Sequence, residues 1–387
     1  MKKILFLLAL TSSSLGIMAQ MDPYDQNWKP KLIEDFTTPG RYWIDSSFLS
    51  SDSVWKAYSS GLTHGNNKMI YQYSQCHFND RDGYMELVAK YDSTGRIPAH
   101  HYDLPYNVRD YPTYDDLHYF SGRIDHYDRL GANSAKYKYG YFEIRCKLPI
   151  HQGAFPAFWL WDANTKQHYY EEIDIFEFSW EFEDSAASWQ HNPHPHGKGN
   201  PYCFTSGIYY CDTANYNGHE TSQARVFPMI NDSLSHWHTF SCEWMPEHIL
   251  WYCDDILVDE YYNTDSIPHH PLTLKANYGI DKYALQKNKH YGIPEWLGCD
   301  TMTIDYIKVY QLDWDCHTDE VITRQYELDH FDFAVKNRIT ITSAIEPVNI
   351  GSNKKETFRA TDSFEITGPF QVDSGGEMTV IIQQCPD

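Results

Sequence analysis

Apolar and polar residues alternate along most of the chain, and the stripes that would mark long amphipathic helices are absent. Period-two segments include residues 84–89, which follow an Asp82-Gly83 turn, residues 141–146 and residues 301–310. Turns rich in Pro, Asn and Gly separate such segments. Alternation of this kind is typical of strands with one buried face, so the sequence predicts an all-β protein built as a β-sandwich.

The pattern divides the chain into a leader, one large domain and a small tail. Two lysines precede a short apolar run, which predicts a cleaved secretory signal over residues 1–19. The main domain is expected over residues 28–312, followed by an acidic linker over 313–327 and a small β-module of unknown role over 328–387. Because neither this run nor any later one is long enough for a transmembrane segment, we expect a secreted or periplasmic protein after cleavage of the signal.

Composition and charge restrict the kind of partner. A chain of 387 residues with 16 % aromatic residues has too much buriable surface to be disordered. Its formal net charge of -22 repels nucleic acids and heavily sulfated polymers at long range. We therefore expect a neutral partner and no nucleic acid, and the aromatic excess favours stacking on a flat ligand.

Nine cysteines permit disulfides in an exported chain but are too sparse to form its main scaffold. A hairpin turning around Glu247-His248 would place Cys242 opposite Cys253, either as a disulfide or as two buried thiols. Cys316 and Cys385 could be joined, which would fix the tail to the main domain, or could remain free thiols. The sequence leaves both alternatives open for each pair.

Glu172, Asp174 and Glu177 interrupt an apolar strand at residues 169–178, which read YYEEIDIFEF. Simple alternation places Glu172 and Asp174 on one face of the strand and Glu177 on the other. One β-bulge between Asp174 and Glu177 would return all three acids to one face, and bulges are frequent beside active sites. Two of the carboxyl groups could then flank a scissile bond at the roughly 5 to 5.5 Å separation of a retaining glycosidase. The alternative, an acidic edge strand that resists aggregation, is disfavoured by the apolar neighbours of these acids.

The spacing E-x-D-x-x-E resembles the bulged active-site strand of glycoside hydrolase family 16, as found in laminarinases, agarases and carrageenases. Further segments are similar to the family and occur in the same order over about residues 28–312. They are IEDF at 33–36, SGRI at 121–124, YGYFEIR at 139–145, FPAFWL at 155–160, WHTF at 237–240 and TIDYIKVY at 303–310. The resemblance implies a jelly-roll sandwich whose concave sheet forms an open cleft for a β-linked polysaccharide.

The resemblance also implies roles for individual residues. Glu172 would be the nucleophile, Glu177 the general acid and then the general base, and Asp174 their supporting acid, with no catalytic metal or organic cofactor. From their strand positions or from the resemblance, the residues expected to contact substrate are Trp159, Tyr170, Arg123 and Asn277. Core packing remains the alternative for Trp159, and an ion pair on the sheet face remains the alternative for Arg123.

Many members of the family bind a structural calcium away from the cleft, and hard oxygen ligands suit that ion. By resemblance, the Asp305 side chain would be a ligand together with the carbonyls of Gly83 and Asp35. The alternative is an acid at a strand end without a metal.

These features predict a secreted, endo-acting, retaining glycoside hydrolase that cleaves a β-1,3- or mixed-linkage glucan. The first alternative is a β-galactanase acting on agar, porphyran or carrageenan, since Phe155 and Glu171 depart from the usual laminarinase pattern. Arg123, Lys136 and Lys138 could also form a basic subsite. The second alternative is a carbohydrate-binding jelly roll without catalysis. The tail, which could contact the polymer or the cell surface, is expected to be dispensable for the chemistry.

Overall fold

A computed structural model of the chain describes fourteen ranges of residues. They are 27–38, 42–43, 55–57, 69–71, 73–79, 81–91, 119–127, 135–150, 154–164, 169–178, 204–211, 220–226, 232–280 and 299–386. The predicted signal segment lies outside these ranges and stays a prediction. Within the ranges, the helices are too short or too polar to cross a lipid bilayer.

Within the described ranges, the main domain consists of strands and a short 3-10 helix at Tyr73–Gln75. The strands in the described ranges are β1 Trp28–Glu34, β2 Tyr42–Trp43, β3 Trp55–Ala57, β4 Met69–Tyr71, β5 Cys76–Asn79, β6 Tyr84–Tyr91, β7 Tyr119–Ser121, β8 Arg123–His126, β9 Lys136–Tyr137, β10 Gly140–Lys147, β11 Ala154–Asn164, β12 Tyr169–Glu177, β13 Phe204–Cys211, β14 Glu220–Val226, β15 His238–Trp244, β16 Ile249–Cys253, β17 Ile256–Tyr261, β18 Leu272–Ile280 and β19 Cys299–Leu312.

These strands form two sheets, which we call the inner and the outer sheet. The inner sheet follows the order β14-β13-β12-β11-β18-β8-β3-β2, with β9 beside β18. The outer sheet follows the order β17-β16-β15-β10-β19-β6-β7-β4, with β1 beside β19 and β5 beside β6. Apolar side chains of both sheets meet in one core, where the ring centroids of Phe176 and Phe240 are 4.5 Å apart. The predicted β-sandwich is therefore confirmed.

Alternation of apolar and polar side chains explains why these segments are strands. On β10, Phe142, Ile144 and Cys146 are buried in the core between the sheets, whereas Glu143 and Arg145 are only partly buried. The three period-two segments singled out in the sequence fall within β6, β10 and β19. They lie side by side in the outer sheet, with β19 between the other two.

The register of the β15–β16 hairpin differs from the predicted one. Cys242 lies opposite Trp251, and Cys253 lies opposite Phe240. The reason is a four-residue turn over residues 245–248, closed by a 2.9 Å hydrogen bond from the Met245 amide to the His248 carbonyl. This turn is centred one residue earlier than expected, which shifts the pairing by two residues. Both cysteines are buried free thiols.

The tail begins earlier than predicted, because most of the expected linker over residues 313–327 is structured. It contains β20 Trp314–Ile322 and the helix α1 Gln325–Asp329. Two acidic residues of this segment pair with a lysine of the following strand. The Nζ atom of Lys336 lies 2.9 Å from a carboxylate oxygen of Asp315 and 4.0 Å from one of Glu320, and it also pairs with Asp332 beyond the segment. The acidic composition therefore marks a network of ion pairs rather than a solvated linker.

The rest of the tail consists of short parallel strands, β21 Val335–Ile341, β22 Val348–Ile350, β23 Lys355–Ile366, β24 Phe370–Val372 and β25 Glu377–Ile382. One sheet has the order β20-β21-β23-β25, and β22 pairs with β24 in a second sheet. All these pairs are parallel, and the chain passes alternately through the two sheets. The arrangement is that of a short solenoid with its own apolar core.

This C-terminal module covers part of the outer sheet. Val335 and Trp314 pack with an apolar cluster of the main domain that includes Trp28, Tyr141 and Tyr252. The Cys316–Cys385 disulfide joins the first strand of the module to its last residues, with 6.0 Å between the Cα atoms. The disulfide therefore closes the module on itself, and apolar packing attaches the module to the sandwich.

We predict that the disulfide stabilises the module by closing a long loop. It spans a sequence separation of 69 residues, for which loop-closure entropy corresponds to about 4 kcal/mol. A Cys316→Ser/Cys385→Ser variant should therefore unfold its module at lower temperature in differential scanning calorimetry, and wild-type protein should do so only with reductant. Equal unfolding temperatures for the variant and the oxidised wild type would contradict the prediction.

Candidate active site

The strand that carries the three acids contains the predicted β-bulge. Asp174 pairs with Gly207 of β13, but Glu177, three residues later, pairs with Thr205, only two residues away. The other neighbour, β11, shows the same irregularity, since Phe158 and Trp159 pair with Phe176 and Asp174. One extra residue on β12 is thereby left without an opposite partner, which reverses the alternation of the strand beyond it.

The burial of the neighbouring side chains shows where each residue points. Ile173, Ile175 and Phe176 all belong to the core between the sheets. Two consecutive apolar residues at 175 and 176 therefore face the core, which a regular strand does not allow. Glu172, Asp174 and Glu177 lie together on the opposite face, which we call the cleft face of the inner sheet.

Pairing across the sheet arranges the cleft face in three rows. The first row contains Arg123, Asn277, Ala157, Glu177 and Thr205. The second contains Asp125, Lys275, Trp159, Asp174 and Gly207. The third contains Lys136, Thr273, Trp161, Glu172 and Tyr209. All the residues predicted for catalysis and substrate binding except Tyr170 lie in these rows, and Tyr170 lies two residues before Glu172 on the same strand.

Glu172 and Asp174 are strongly desolvated, with 5 % and 1 % of their surfaces exposed. Burial raises the pKa of Glu172 to about 7, although hydrogen bonds with Tyr170 and Asp174 and the charge of Lys275 act in the opposite direction. A hydrogen bond between two carboxyl groups needs one proton. The hydrogen bond between Glu172 and Asp174 therefore holds one proton between the two carboxyl groups.

Two tyrosines border the acids. The hydroxyl of Tyr170 donates a short hydrogen bond to Oε2 of Glu172. Burial and then the charge of Glu172 raise the pKa of Tyr170 well above its ordinary value. Burial also raises the pKa of Tyr209, followed by the charges of Glu177, Asp174 and Glu172. Both phenols therefore remain protonated and can act as hydrogen-bond donors beside the acids.

A buried ion network lies next to the acids on the cleft face. Asp125 accepts two hydrogen bonds from Arg123, of 2.8 and 3.0 Å, and a third of 3.0 Å from Nζ of Lys275. Burial of Asp125 favours its protonated form, but the charges of Arg123 and Lys275 outweigh this effect and lower its pKa. The carboxylate therefore compensates two buried cations in the floor of the cleft.

Trp159 and Asn277 belong to the same floor. The Trp159 indole donates a 2.7 Å hydrogen bond to Oδ1 of Asn277, and 6 % of the Trp159 surface is exposed. Arg123 and Lys275 lie 5.6 and 5.8 Å from the centre of its ring. These contacts favour a supporting role for Trp159, Asn277 and Arg123 and leave little of their surface for a sugar.

Sequence reasoning missed Lys275, Asp125 and Tyr209. Asp125 could have been identified from the sequence, since it lies two residues after Arg123 on the same strand and therefore on the same face. Lys275 and Tyr209 were detectable only as polar residues inside apolar strands, and their positions depend on pairing between strands distant in sequence.

The residues predicted to hold calcium lie away from the cleft, near the end of β1 in the outer sheet. A Cβ atom added to Gly83 would lie 3.6 Å from the carbonyl oxygen of Asp35, so these two segments approach closely. The Asp305 carboxylate, however, is paired with the guanidinium of Arg145. A carboxylate already compensated by a cation is a poor calcium ligand, so the donor set does not fit the ion, and calcium binding stays a prediction.

Of the three cations of the basic subsite considered from the sequence, Arg123 and Lys136 are paired with carboxylates. Lys136 lies 2.6 Å from Oδ2 of Asp162. Nζ of Lys138 lies 5.4 Å from the ring centre of Tyr139. Together with the pairing of Arg123 to Asp125, these contacts do not favour a site built for sulfate groups.

The chain is similar to known proteins both in sequence and in structure. Residues 128–308 match the family Glycosyl hydrolases family 16. The endo-1,3-1,4-beta-glycanase EglC of Rhizobium meliloti (strain 1021) is 29 % identical over 201 residues, which cover 51 % of this chain and 35 % of the relative. A beta-glucanase of Rhodothermus marinus is 28 % identical over 155 residues, 39 % of this chain and 45 % of the relative. The chain thus spans less than half the length of these curated relatives.

A solved structure has the same fold. LamAcat from Zobellia galactanivorans superposes with a TM-score of 0.50 and 18 % sequence identity, over 73 % of this chain and 98 % of that chain. The resemblance to family 16 and the predicted jelly-roll class are therefore confirmed.

We predict that Tyr170→Phe moves the pH dependence of activity. Removing a hydrogen bond to a carboxylate, which contributes about 1.5 to 3 kcal/mol, raises the carboxyl pKa by roughly one to two units. As the predicted nucleophile, Glu172 must be ionised to react, so the acid limb of kcat/KM should move to higher pH by about that amount. The matched control is Tyr262→Phe, which removes the exposed hydrogen bond from Tyr262 to Glu260. An unchanged acid limb in Tyr170→Phe would contradict the prediction.

Proposed function

Because residues 128–308 match the family Glycosyl hydrolases family 16, we propose that this protein is a secreted, endo-acting, retaining glycoside hydrolase of β-linked glucans. One observation carries the proposal. The bulge between Asp174 and Glu177 brings Glu172, Asp174 and Glu177 onto one face of β12. A strand with three buried or half-buried acids on a single face, next to tyrosine donors, has the groups that double displacement at an anomeric carbon requires.

In the first step, the Glu172 carboxylate attacks the anomeric carbon and the glycosidic oxygen leaves. Glu177 gives its proton to that oxygen, so the leaving group departs as a neutral sugar hydroxyl. The bond between the anomeric carbon and the leaving oxygen breaks as the ester bond to Glu172 forms. Tyr170 and Asp174 hold the Glu172 carboxylate by hydrogen bonds and orient it for attack.

In the second step, water attacks the anomeric carbon of the glycosyl ester. Glu177, now ionised, takes a proton from that water, and Glu172 leaves as a carboxylate. Each step inverts the anomeric centre, so the product keeps the configuration of the substrate. The acids return to their starting protonation states, and the chain's own carboxyl groups supply every proton transfer.

The compensated charges of the cleft face support a neutral substrate. Arg123 and Lys275 share Asp125, and Lys136 is paired with Asp162. A sulfate group bound by Arg123 or Lys275 would have to displace Asp125 from these buried cations, which is costly in a desolvated site. A β-1,3- or mixed-linkage glucan has no such group, and the similar protein of Rhodothermus marinus is a beta-glucanase.

The test is a panel of polymers assayed by reducing-sugar release with the full-length chain. We expect cleavage of mixed-linkage β-glucan or laminarin, with oligosaccharide products of several lengths from the first minutes because cleavage is internal. Porphyran and carrageenan should remain intact. Release from a galactan alone would select the β-galactanase alternative. Binding to a glucan without any release would instead indicate a carbohydrate-binding protein and would overturn the proposed activity.

A further inference from the structure

The residue before the nucleophile, Glu171, points to the opposite side of β12 from Glu172 and is completely buried. Its carboxylate contacts the turn that leads into β18. Oε2 accepts hydrogen bonds from the backbone amides of His269 and His270, at 3.0 and 2.8 Å. These amides fix one carboxylate oxygen and direct the other, Oε1, towards the two imidazole rings.

Both imidazoles turn the same atom towards Oε1. Nδ1 of His270 lies 2.7 Å from Oε1, and Nδ1 of His269 lies 3.4 Å from it. The ring centroids of the two histidines are 4.3 Å apart. The imidazole side chains are 44 % and 29 % exposed for His269 and His270, so solvent and small ions can reach the cluster.

The burial of the Glu171 carboxylate favours a cation as its partner. A fully buried carboxylate is costly unless it is compensated, and its ion pairs within the described residues are those with these two histidines. A single divalent ion between the three ligand atoms would compensate the carboxylate.

We propose that Glu171, His269 and His270 bind one divalent transition-metal ion, with zinc as the best match, through Oε1 and the two Nδ1 atoms. Bonds of about 2.0 to 2.2 Å at tetrahedral angles place neighbouring ligand atoms roughly 3.3 to 3.6 Å apart. The three ligand atoms already lie within 4.8 Å of one another, so small side-chain rotations suffice. Two nitrogens and one oxygen suit a transition metal better than calcium or magnesium.

The ion has a structural role, with water completing its coordination on the exposed side. It ties the start of β12 to the turn before β18, and these strands hold the nucleophile and the buried Lys275. The site faces away from the reacting atoms, so the inference stands whether or not the chain is a glycosidase.

The test uses the full-length chain, stripped with a chelator and dialysed, then titrated with zinc chloride by isothermal titration calorimetry. Wild-type protein should bind one equivalent of zinc tightly, and His269→Ala/His270→Ala should bind at least about tenfold more weakly. The matched control is His236→Ala/His248→Ala, which removes two other histidines paired with acids, Asp232 and Glu243. Zinc should raise the unfolding temperature of wild type and control but not of the test variant.

Equal zinc affinity in the test variant and the wild type would overturn the proposal, because the ion would then bind elsewhere among the 20 histidines. Absence of stoichiometric binding in the wild type would overturn it as well. If the double variant fails to fold by circular dichroism, the single variant His269→Ala replaces it. That change removes only the longer contact to Glu171 and leaves the hydrogen bond from His270 in place.

Discussion

The extra residue in β12 is the constraint on which the site depends. A regular strand over residues 172–177 would send Glu177 into the core, or would expose the apolar residues beside it. With the bulge, Ile175 and Phe176 both pack between the sheets, and Glu177 joins Glu172 and Asp174 on the cleft face. The same local irregularity thus completes the hydrophobic core and assembles the acids, so core stability holds the catalytic geometry in place.

The electrostatics of the cleft follow from this arrangement. Carboxyl groups held on a buried face are desolvated, which disfavours their ionised forms. For Glu172, a hydrogen-bond donor and a cation oppose this effect. They are the Tyr170 hydroxyl on the same strand, β12, and the Lys275 ammonium on β18. Asp125 in turn compensates Lys275 and Arg123. The floor of the cleft therefore works as one network in which each buried charge has a partner.

Much of this could be predicted from the sequence, because the information is local. The alternation of β6, β10 and β19, the bulge and the face occupied by Glu172, Asp174 and Glu177 all follow from spacing within single strands. The predicted register of the hairpin at Cys242 was wrong, because the register depends on the length of the turn that joins the two strands. The prediction of a linker over residues 313–327 was wrong, because an acidic composition does not reveal that Lys336 pairs with acids of this segment.

Other features depend on contacts that spacing within one strand cannot give. Lys275 meets Asp125 only because β18 pairs with β8, and the strands are 150 residues apart in sequence at that point. Glu171 appeared in the sequence only as a departure from the family pattern. Its neighbours, His269 and His270, come from a turn 98 and 99 residues away. Such pairings become visible only when the sheet order is known.

The most direct test of the account is azide rescue of the two proposed catalytic glutamates, read by the configuration of the product. Glu172→Ala and Glu177→Ala should each lose at least about a thousandfold in turnover of a β-linked aryl oligosaccharide. Azide should rescue Glu172→Ala by direct attack and give the α-glycosyl azide. It should rescue Glu177→Ala by attack on the glycosyl ester and give the β-glycosyl azide. A β-azide from Glu172→Ala, or full activity of that variant, would contradict the assignment of Glu172 as the nucleophile.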